Sequence, residues 1–224
     1  MGFDVKNTTI ISLMDLFCPH YCIKCGKLGE ILCGNCKNYN VWGEINYCLK
    51  CGLVIEGSCK KCRLPFDWSF VVGMKDRELL DLVAKYKYKP IRALSKALAE
   101  ILDKTVPFLP ENTVIVPMPT AGNHVRMRGF DHARLVARRL AKLRGVECLT
   151  LVDKVNNFTQ VGMDAATRRR QARLAYRLRG KILEGKEYLV LDDICTTGAS
   201  IEEVCRVLRE GGARKIGVVV LVKS

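Results

Sequence analysis

The chain has 224 residues, with 37 Lys and Arg against 23 Asp and Glu, a formal net charge of +14. That length holds one full domain plus a small module, and hydrophobic and charged fractions of 49% and 27% are those of a soluble globular protein. No apolar stretch is long enough to cross a bilayer, the N-terminus lacks the pattern of a secretory signal, and Lys6 stands where a myristoylation site needs Ser or Thr, so the expected compartment is the cytoplasm.

In chain order, residues 8–17 (TTIISLMDLF) read as a short apolar helix. A cysteine-rich stretch follows. Of 12 cysteines in the chain, eight form four CxxC pairs: Cys22/Cys25, Cys33/Cys36, Cys48/Cys51 and Cys59/Cys62. Disulfides are expected in secreted chains, and a redox CxxC would sit in a βαβ pattern that this stretch lacks. Eight thiolates match two tetrahedral four-cysteine zinc sites, with Gly26, Gly34 and Gly52 beside pair members where tight knuckle turns need them. Sequential pairing gives two small zinc ribbons in tandem, and interleaved pairing satisfies the same spacing. Four thiolates leave no open position for water, so the metal is expected to be structural, folding a segment too poor in apolar residues to fold unaided. Cys18 and His20 are expected outside the ligand set, and Cys148, Cys195 and Cys205 read as small packing residues. The first domain is placed at residues 1–64 and the second at 65–224.

Trp68 to Met74 reads as a strand. Helical apolar spacing runs from Asp76 to Asp103, and Pro90 divides it into two helices. Beyond Pro110 strands and helices alternate: strand 113–118, helix 130–143, strand 146–152, strand 188–192, helix 200–210 and strand 215–222, with Gly211-Gly212 ending the last helix. Such alternation predicts a parallel sheet covered by helices on both faces. Residues 153–180 are polar and Arg-rich, with helix-compatible spacing over 164–178.

The segment from Tyr188 to Ser200, YLVLDDICTTGAS, carries the chemistry. An apolar strand ends in Asp192 and Asp193, a turn of Thr196, Thr197, Gly198, Ala199 and Ser200 follows, and then a helix begins. The first turn of a helix leaves backbone N–H groups unpaired at the positive end of its dipole, and Gly198 permits a left-handed turn that lets a phosphate approach closely. The two carboxylates would repel that phosphate. As acceptors without donors they suit the vicinal hydroxyls of a sugar, so the segment fits a ribose 5-phosphate. A magnesium-binding strand beside a GxxxxGK[ST] loop is excluded, because none of Gly26-Lys27, Gly180-Lys181 and Gly185-Lys186 is followed by Ser or Thr. The plainer alternative is a hydroxyl-rich helix cap with no ligand.

Residues 188–200 resemble the PRPP-binding signature of type I phosphoribosyltransferases. Together with the cysteine block 18–62, Lys85-Tyr86-Lys87-Tyr88-Lys89, Val116-Pro-Met-Pro119 and Arg126-Met-Arg-Gly-Phe130, they resemble the ComF family of competence-associated proteins. The chain departs from that family's usual RGFNQ at Asp131 and His132, and keeps its Q-x-x-L…R-x-x-N stretch only in part, as Gln160, Arg168 and Gln171. The resemblance implies an α/β fold, a type I phosphoribosyltransferase-like parallel sheet flanked by helices and preceded by the zinc-ribbon module. It implies PRPP with Mg2+ as ligand, and a role in handling single-stranded DNA during natural transformation, beside a helicase or recombination proteins. Asp192 and Asp193 would hold the ribose, Thr196 to Ser200 the 5-phosphate, and Arg126, Arg128 and Lys87 the pyrophosphate. A non-catalytic DNA-binding adaptor that only senses PRPP is the rival reading, and a transferase acting on a small nucleobase or amine is another. No general base is evident, and His124 and His132 are candidates by location alone.

The charge is uneven. Between Ala121 and Lys181 there are fifteen Lys and Arg against four Asp and Glu, a balance of +11 that would draw a polyanion. Arg168-Arg169-Arg170 needs an anion or solvent to screen it. Lys85, Tyr86, Lys87, Tyr88 and Lys89 interleave cations with aromatics, as single-strand binders do. An amphipathic helix end with snorkelling lysines gives the same pattern.

Overall fold

A computed structural model describes residues 20–37, 46–55, 57–89, 91–155 and 175–224. The helix expected over 8–17, the triplet Arg168 to Arg170, and Gln160 and Gln171 lie outside the described residues. The chain divides into two compact units, residues 1–40 and 41–224, with one cysteine cluster in each.

The described elements are α1 (Gly34–Lys37), β1 (Trp68–Met74), α2 (Arg77–Tyr88), α3 (Leu94–Thr105), β2 (Thr113–Pro117), α4 (Gly122–Arg128), α5 (His132–Arg144), β3 (Glu147–Cys148), β4 (Val152–Lys154), β5 (Tyr176–Leu178), β6 (Glu187–Cys195), α6 (Ala199–Glu210) and β7 (Lys215–Lys223). Five strands form one parallel sheet in the order β1-β7-β6-β2-β3. The inner strands are the most apolar. In β7 every residue from Ile216 to Val222 is buried, as a strand covered on both faces requires. A methyl on Gly217 of β7 would come within 2.2 Å of the Trp68 ring, so a larger residue there would force the ring to shift.

The helical periodicity over 76–103 is two helices, ending at Tyr88 and restarting at Leu94. Asp76 begins the first by accepting from the Leu79 N–H at 3.0 Å, and Asp131 begins α5 by accepting from the Arg134 N–H at 3.2 Å. Helices α3 and α5 pack on each other through small and branched side chains, among them Ala97, Leu98, Ile101, Ala133, Ala137 and Leu140. Arg144 closes that pair, donating to the Asp103 carboxylate and to the carbonyls of Val106 and Pro107.

Three local expectations are corrected. The strand expected at 146–152 is two elements, with β3 on the sheet edge and β4 turned away to pair antiparallel with β5. Residues 176–178, expected to end a helix, are β5: buried Tyr176, exposed Arg177 and half-buried Leu178 alternate with period two. Between β2 and α5, where no element was expected, the chain forms the short helix α4.

The two cysteine knuckles repeat one design with an offset of 26 residues, from Cys22 to Cys48. The Cys22 N–H donates to the Lys27 carbonyl and the Gly26 N–H to the Cys22 carbonyl, and Cys48, Leu53 and Gly52 reproduce both bonds. Gly26 and Gly52 take φ of 73° and 70° at the turn, and antiparallel bridges Tyr21–Leu28 and Tyr47–Val54 close each knuckle.

Candidate functional site

Strand β6 delivers Asp192 and Asp193 to the carboxyl edge of the sheet, where ligands of such folds bind. Successive side chains on a strand face opposite ways, and the two acids meet different surroundings. Asp193 is 3% exposed. Its Oδ1 lies 2.7 Å from the Lys87 ammonium of α2, and its Oδ2 lies 3.0 Å from Nε2 of His132, the first residue of α5. Arg128 approaches the other ring nitrogen, Nδ1, at 3.0 Å, and the Tyr86 hydroxyl donates to the His132 carbonyl at 2.9 Å. Burial alone would raise the Asp193 pKa, but the His132 hydrogen bond and the Lys87 charge hold it below the ordinary carboxylate range.

Asp192 is half-buried and accepts a local hydrogen bond from the Asp193 N–H at 2.9 Å. Burial and the neighbouring Asp193 charge push its pKa up to about 8. The pair therefore holds one carboxylate already paired with the Lys87 ammonium and the His132 ring, and one that a cation or hydroxyl donors would complete.

The turn that follows is built as a cradle. Thr196, Thr197, Ala199 and Ser200 are exposed, and Gly198 has φ of 79°. Gly198 begins α6 without a side-chain cap, so the first-turn N–H groups face outward at the positive end of the helix. The contact from the Ala199 N–H to the Thr197 hydroxyl is long, at 3.4 Å. The Lys223 ammonium donates to the Thr196 carbonyl and ties the turn to the end of β7.

The remaining candidates separate. Arg126 is exposed on α4, and Arg128 stacks its guanidinium 5.5 Å from the Tyr88 ring centre. Lys87 is committed to Asp193, and Lys85 pairs with Asp81 at 2.7 Å. Tyr86 requires correction as a base-stacking residue. It is fully buried against Phe130, with ring centres 5.4 Å apart, because helical spacing turns it inward while Tyr88, 73% exposed, and Lys89 face out. His132 as a partner of Asp193 was not foreseen. The legible signal was its place directly after the capping Asp131, at the start of a helix that abuts the strand end.

Within each cysteine set, Cys22, Cys25, Cys33 and Cys36, or Cys48, Cys51, Cys59 and Cys62, the four sulfurs lie within 4.8 Å of one another, so the pairing is sequential. The 3.6 Å between Cys25 and Cys33 and the 3.8 Å between Cys51 and Cys59 match the edge of about 3.8 Å that a ZnS4 tetrahedron requires. Burial and three neighbouring sulfurs push the Cys36 thiol up to about 12, a crowding that a divalent cation would relieve. Both sets fit a structural zinc ion. No helix among the described residues is long and apolar enough to cross a membrane.

A parallel sheet with an acidic strand end and an anion-ready turn defines a phosphoribosyltransferase-type fold. The phosphoribosyl transferase domain model matches residues 88–224, and the chain belongs to that family. It is similar to the DNA utilization protein YhgH of Salmonella typhi, 28% identical over 172 residues, covering 71% of this chain and 74% of that protein. It is also similar to competence protein F of Haemophilus influenzae, 26% identical over 165 residues, covering 68% and 71% respectively. Among solved structures, the glutamine phosphoribosylpyrophosphate amidotransferase of B. subtilis aligns with a TM-score of 0.42 and 19% identity, over 58% of this chain and 26% of that one.

Proposed function

We propose that the chain binds PRPP at the carboxyl edge of its sheet and is a phosphoribosyltransferase of the ComF type. The observation that carries this reading is the juxtaposition at the end of β6 of a half-buried carboxylate with no ion pair among the described residues, Asp192, with the uncapped start of α6 at Gly198. The turn 196–200 takes the 5-phosphate with backbone N–H groups and hydroxyls. Asp192 takes the ribose hydroxyls and would help hold the magnesium that accompanies PRPP. Asp193, held by the Lys87 ammonium and the His132 ring, fixes the strand end and the start of α5 around the sugar. Arg126 and Arg128 stand on α4 to meet pyrophosphate. In transfer, an acceptor nitrogen or oxygen forms a bond to the anomeric carbon as the bond to pyrophosphate breaks, and the acceptor's proton passes to solvent or a base. Magnesium would supply charge neutralisation on the pyrophosphate oxygens.

One observation favours the adaptor reading, in which PRPP is sensed and not consumed. Both ring nitrogens of His132 are engaged, by Asp193 and Arg128, so it is not free to serve as a base, and His124 is exposed on α4. The names borne by the relatives, competence protein and DNA utilization protein, together with the +11 balance over 121–181, support single-stranded DNA as a partner in the cytoplasm. Tyr88 and Lys89 would form the exposed part of its contact surface, with half-buried Lys85 beside them.

Calorimetric titration with Mg-PRPP tests binding, and pyrophosphate release with and without single-stranded DNA tests transfer. Saturable binding is expected. Absence of binding would refute the reading, and binding without pyrophosphate release for any nucleobase, amine or DNA acceptor would make the chain an adaptor.

A further inference from the structure

The second cysteine knuckle supports the phosphate turn from below. Leu49 and Lys50 stand between Cys48 and Cys51, two members of that sulfur cluster. Leu49 is 2% exposed and shares an apolar cluster with Cys195, Ile201 and Val204, the residues that flank the turn. A methyl placed on Gly198 would sit 3.6 Å from both Cβ and the carbonyl oxygen of Leu49, and 3.7 Å from the Cys195 sulfur. The turn thus rests in van der Waals contact on the knuckle. Beside it, the Lys50 ammonium lies 3.4 Å from the carboxylate of Glu202 in the first turn of α6. The knuckle is itself fastened to the sheet. The Ser69 hydroxyl donates to the Tyr47 carbonyl, and Asn46 forms an antiparallel bridge with Phe70 of β1.

From these contacts we propose that the Cys48–Cys51 knuckle is a positioning element for the phosphate turn. Metal held by Cys48, Cys51, Cys59 and Cys62 fixes Leu49 under Gly198 and Lys50 beside Glu202, so metal occupancy of the second cluster sets the affinity of residues 196–200 for a sugar 5-phosphate. The inference rests on the reading of that turn as a phosphate cradle. A Cys-x-x-Cys turn clamped at both ends by one ion has few conformations left to it. Leu49 therefore presents a rigid surface, and the turn above it is ordered before ligand arrives. Released from the ion, the knuckle loses that restraint, and ordering of the turn must then be met from binding free energy.

The test compares zinc-loaded wild-type protein, chelator-stripped and reloaded protein, Leu49→Ala and Leu49→Met. Each is titrated with ribose 5-phosphate and Mg-PRPP and followed by hydrogen exchange across residues 196–203. Stripping and Leu49→Ala are expected to weaken both ligands about tenfold, the cost of ordering one short turn, and to speed exchange in that segment. In Leu49→Ala the zinc content stays at the wild-type value. Reloading with Zn2+ and the space-filling Leu49→Met are each expected to recover the affinity. If the wild type itself ignores both ligands, the phosphate reading fails. If the wild type binds while Leu49→Ala binds equally well with unchanged exchange, even with a lowered melting temperature, only the positioning role is overturned.

Discussion

The two acids at the β6 terminus meet opposite surroundings. On one side, Asp193 is enclosed by Lys87 and His132, with Arg128 and Tyr86 behind them. On the other, Asp192 forms no ion pair among the described residues, and the turn 196–200 exposes its hydroxyls and the start of α6. Identical side chains one residue apart thus stand in opposite settings, one paired inside the fold and one left at the edge of the sheet, where the proposed ligand would meet it. The difference teaches that charge at a strand end becomes functional only where the fold leaves it unsatisfied.

The sharpest way to break the comparison is to neutralise the enclosed acid. Asp193→Asn strands Lys87 and His132 in a buried setting and is expected to cost about 3 kcal/mol of folding stability, read by urea or thermal unfolding. Its pH dependence has a definite sign. The pKa of Asp193 is depressed on folding, so its contribution is present above the ordinary carboxylate value and is lost as pH falls through the lower folded one. The asparagine variant should therefore lose part of the acid sensitivity of the wild type. An unfolding midpoint matching the wild type at pH 7 would show that the network does not hold the frame.

The open acid should behave in reverse. Asp192→Asn is expected to weaken Mg-PRPP about tenfold to a hundredfold, the range for losing a charged hydrogen-bond partner, with little loss of stability. The pKa of Asp192 is raised on folding to about 8, so wild-type stability should decline as pH climbs from the ordinary carboxylate value toward 8, and the variant should flatten that slope. At pH 7 the carboxyl is mostly protonated, so Mg-PRPP binding should release a proton. Calorimetry in buffers of different ionisation enthalpy reads that directly, and a proton count of zero would remove Asp192 from the ligand site.

Two smaller effects refine the picture. Tyr88→Ala should weaken single-stranded DNA by about 1–2 kcal/mol, as expected for loss of one stacking ring, while Tyr86→Phe should leave DNA affinity unchanged because its ring is buried. Equal losses from both would place the DNA elsewhere. Gly198→Ala meets no close contact, so its cost is the left-handed backbone alone, about 1 kcal/mol. A several-fold loss of ribose 5-phosphate affinity should accompany it.

Much of this was legible without coordinates. The paired CxxC spacing announced two four-sulfur sets, the strand-helix alternation announced the parallel sheet, and the run from Tyr188 to Ser200 announced a strand ending in two acids, a glycine turn and a helix start. Local chemistry sufficed there, because backbone geometry and ligand valence act over a few residues. Less legible were β5, read as helical from an Arg-rich composition, and α4, too short to show a periodicity. The inward turn of Tyr86 was also missed, since an alternating string of cations and aromatics looks alike on a strand and on a helix.

By itself, then, the sequence determined which groups the protein possesses and the short-range turns that present them. Only the tertiary structure decided how they are shared out. It brought α2 and α5 against one face of β6, so that Lys87 and His132 claimed Asp193 and left Asp192 open. It also slid the second cysteine knuckle beneath Gly198, 149 positions later in the chain than Leu49. Those assignments depend on which surfaces pack together across long stretches of chain, and no local pattern of residues encodes that.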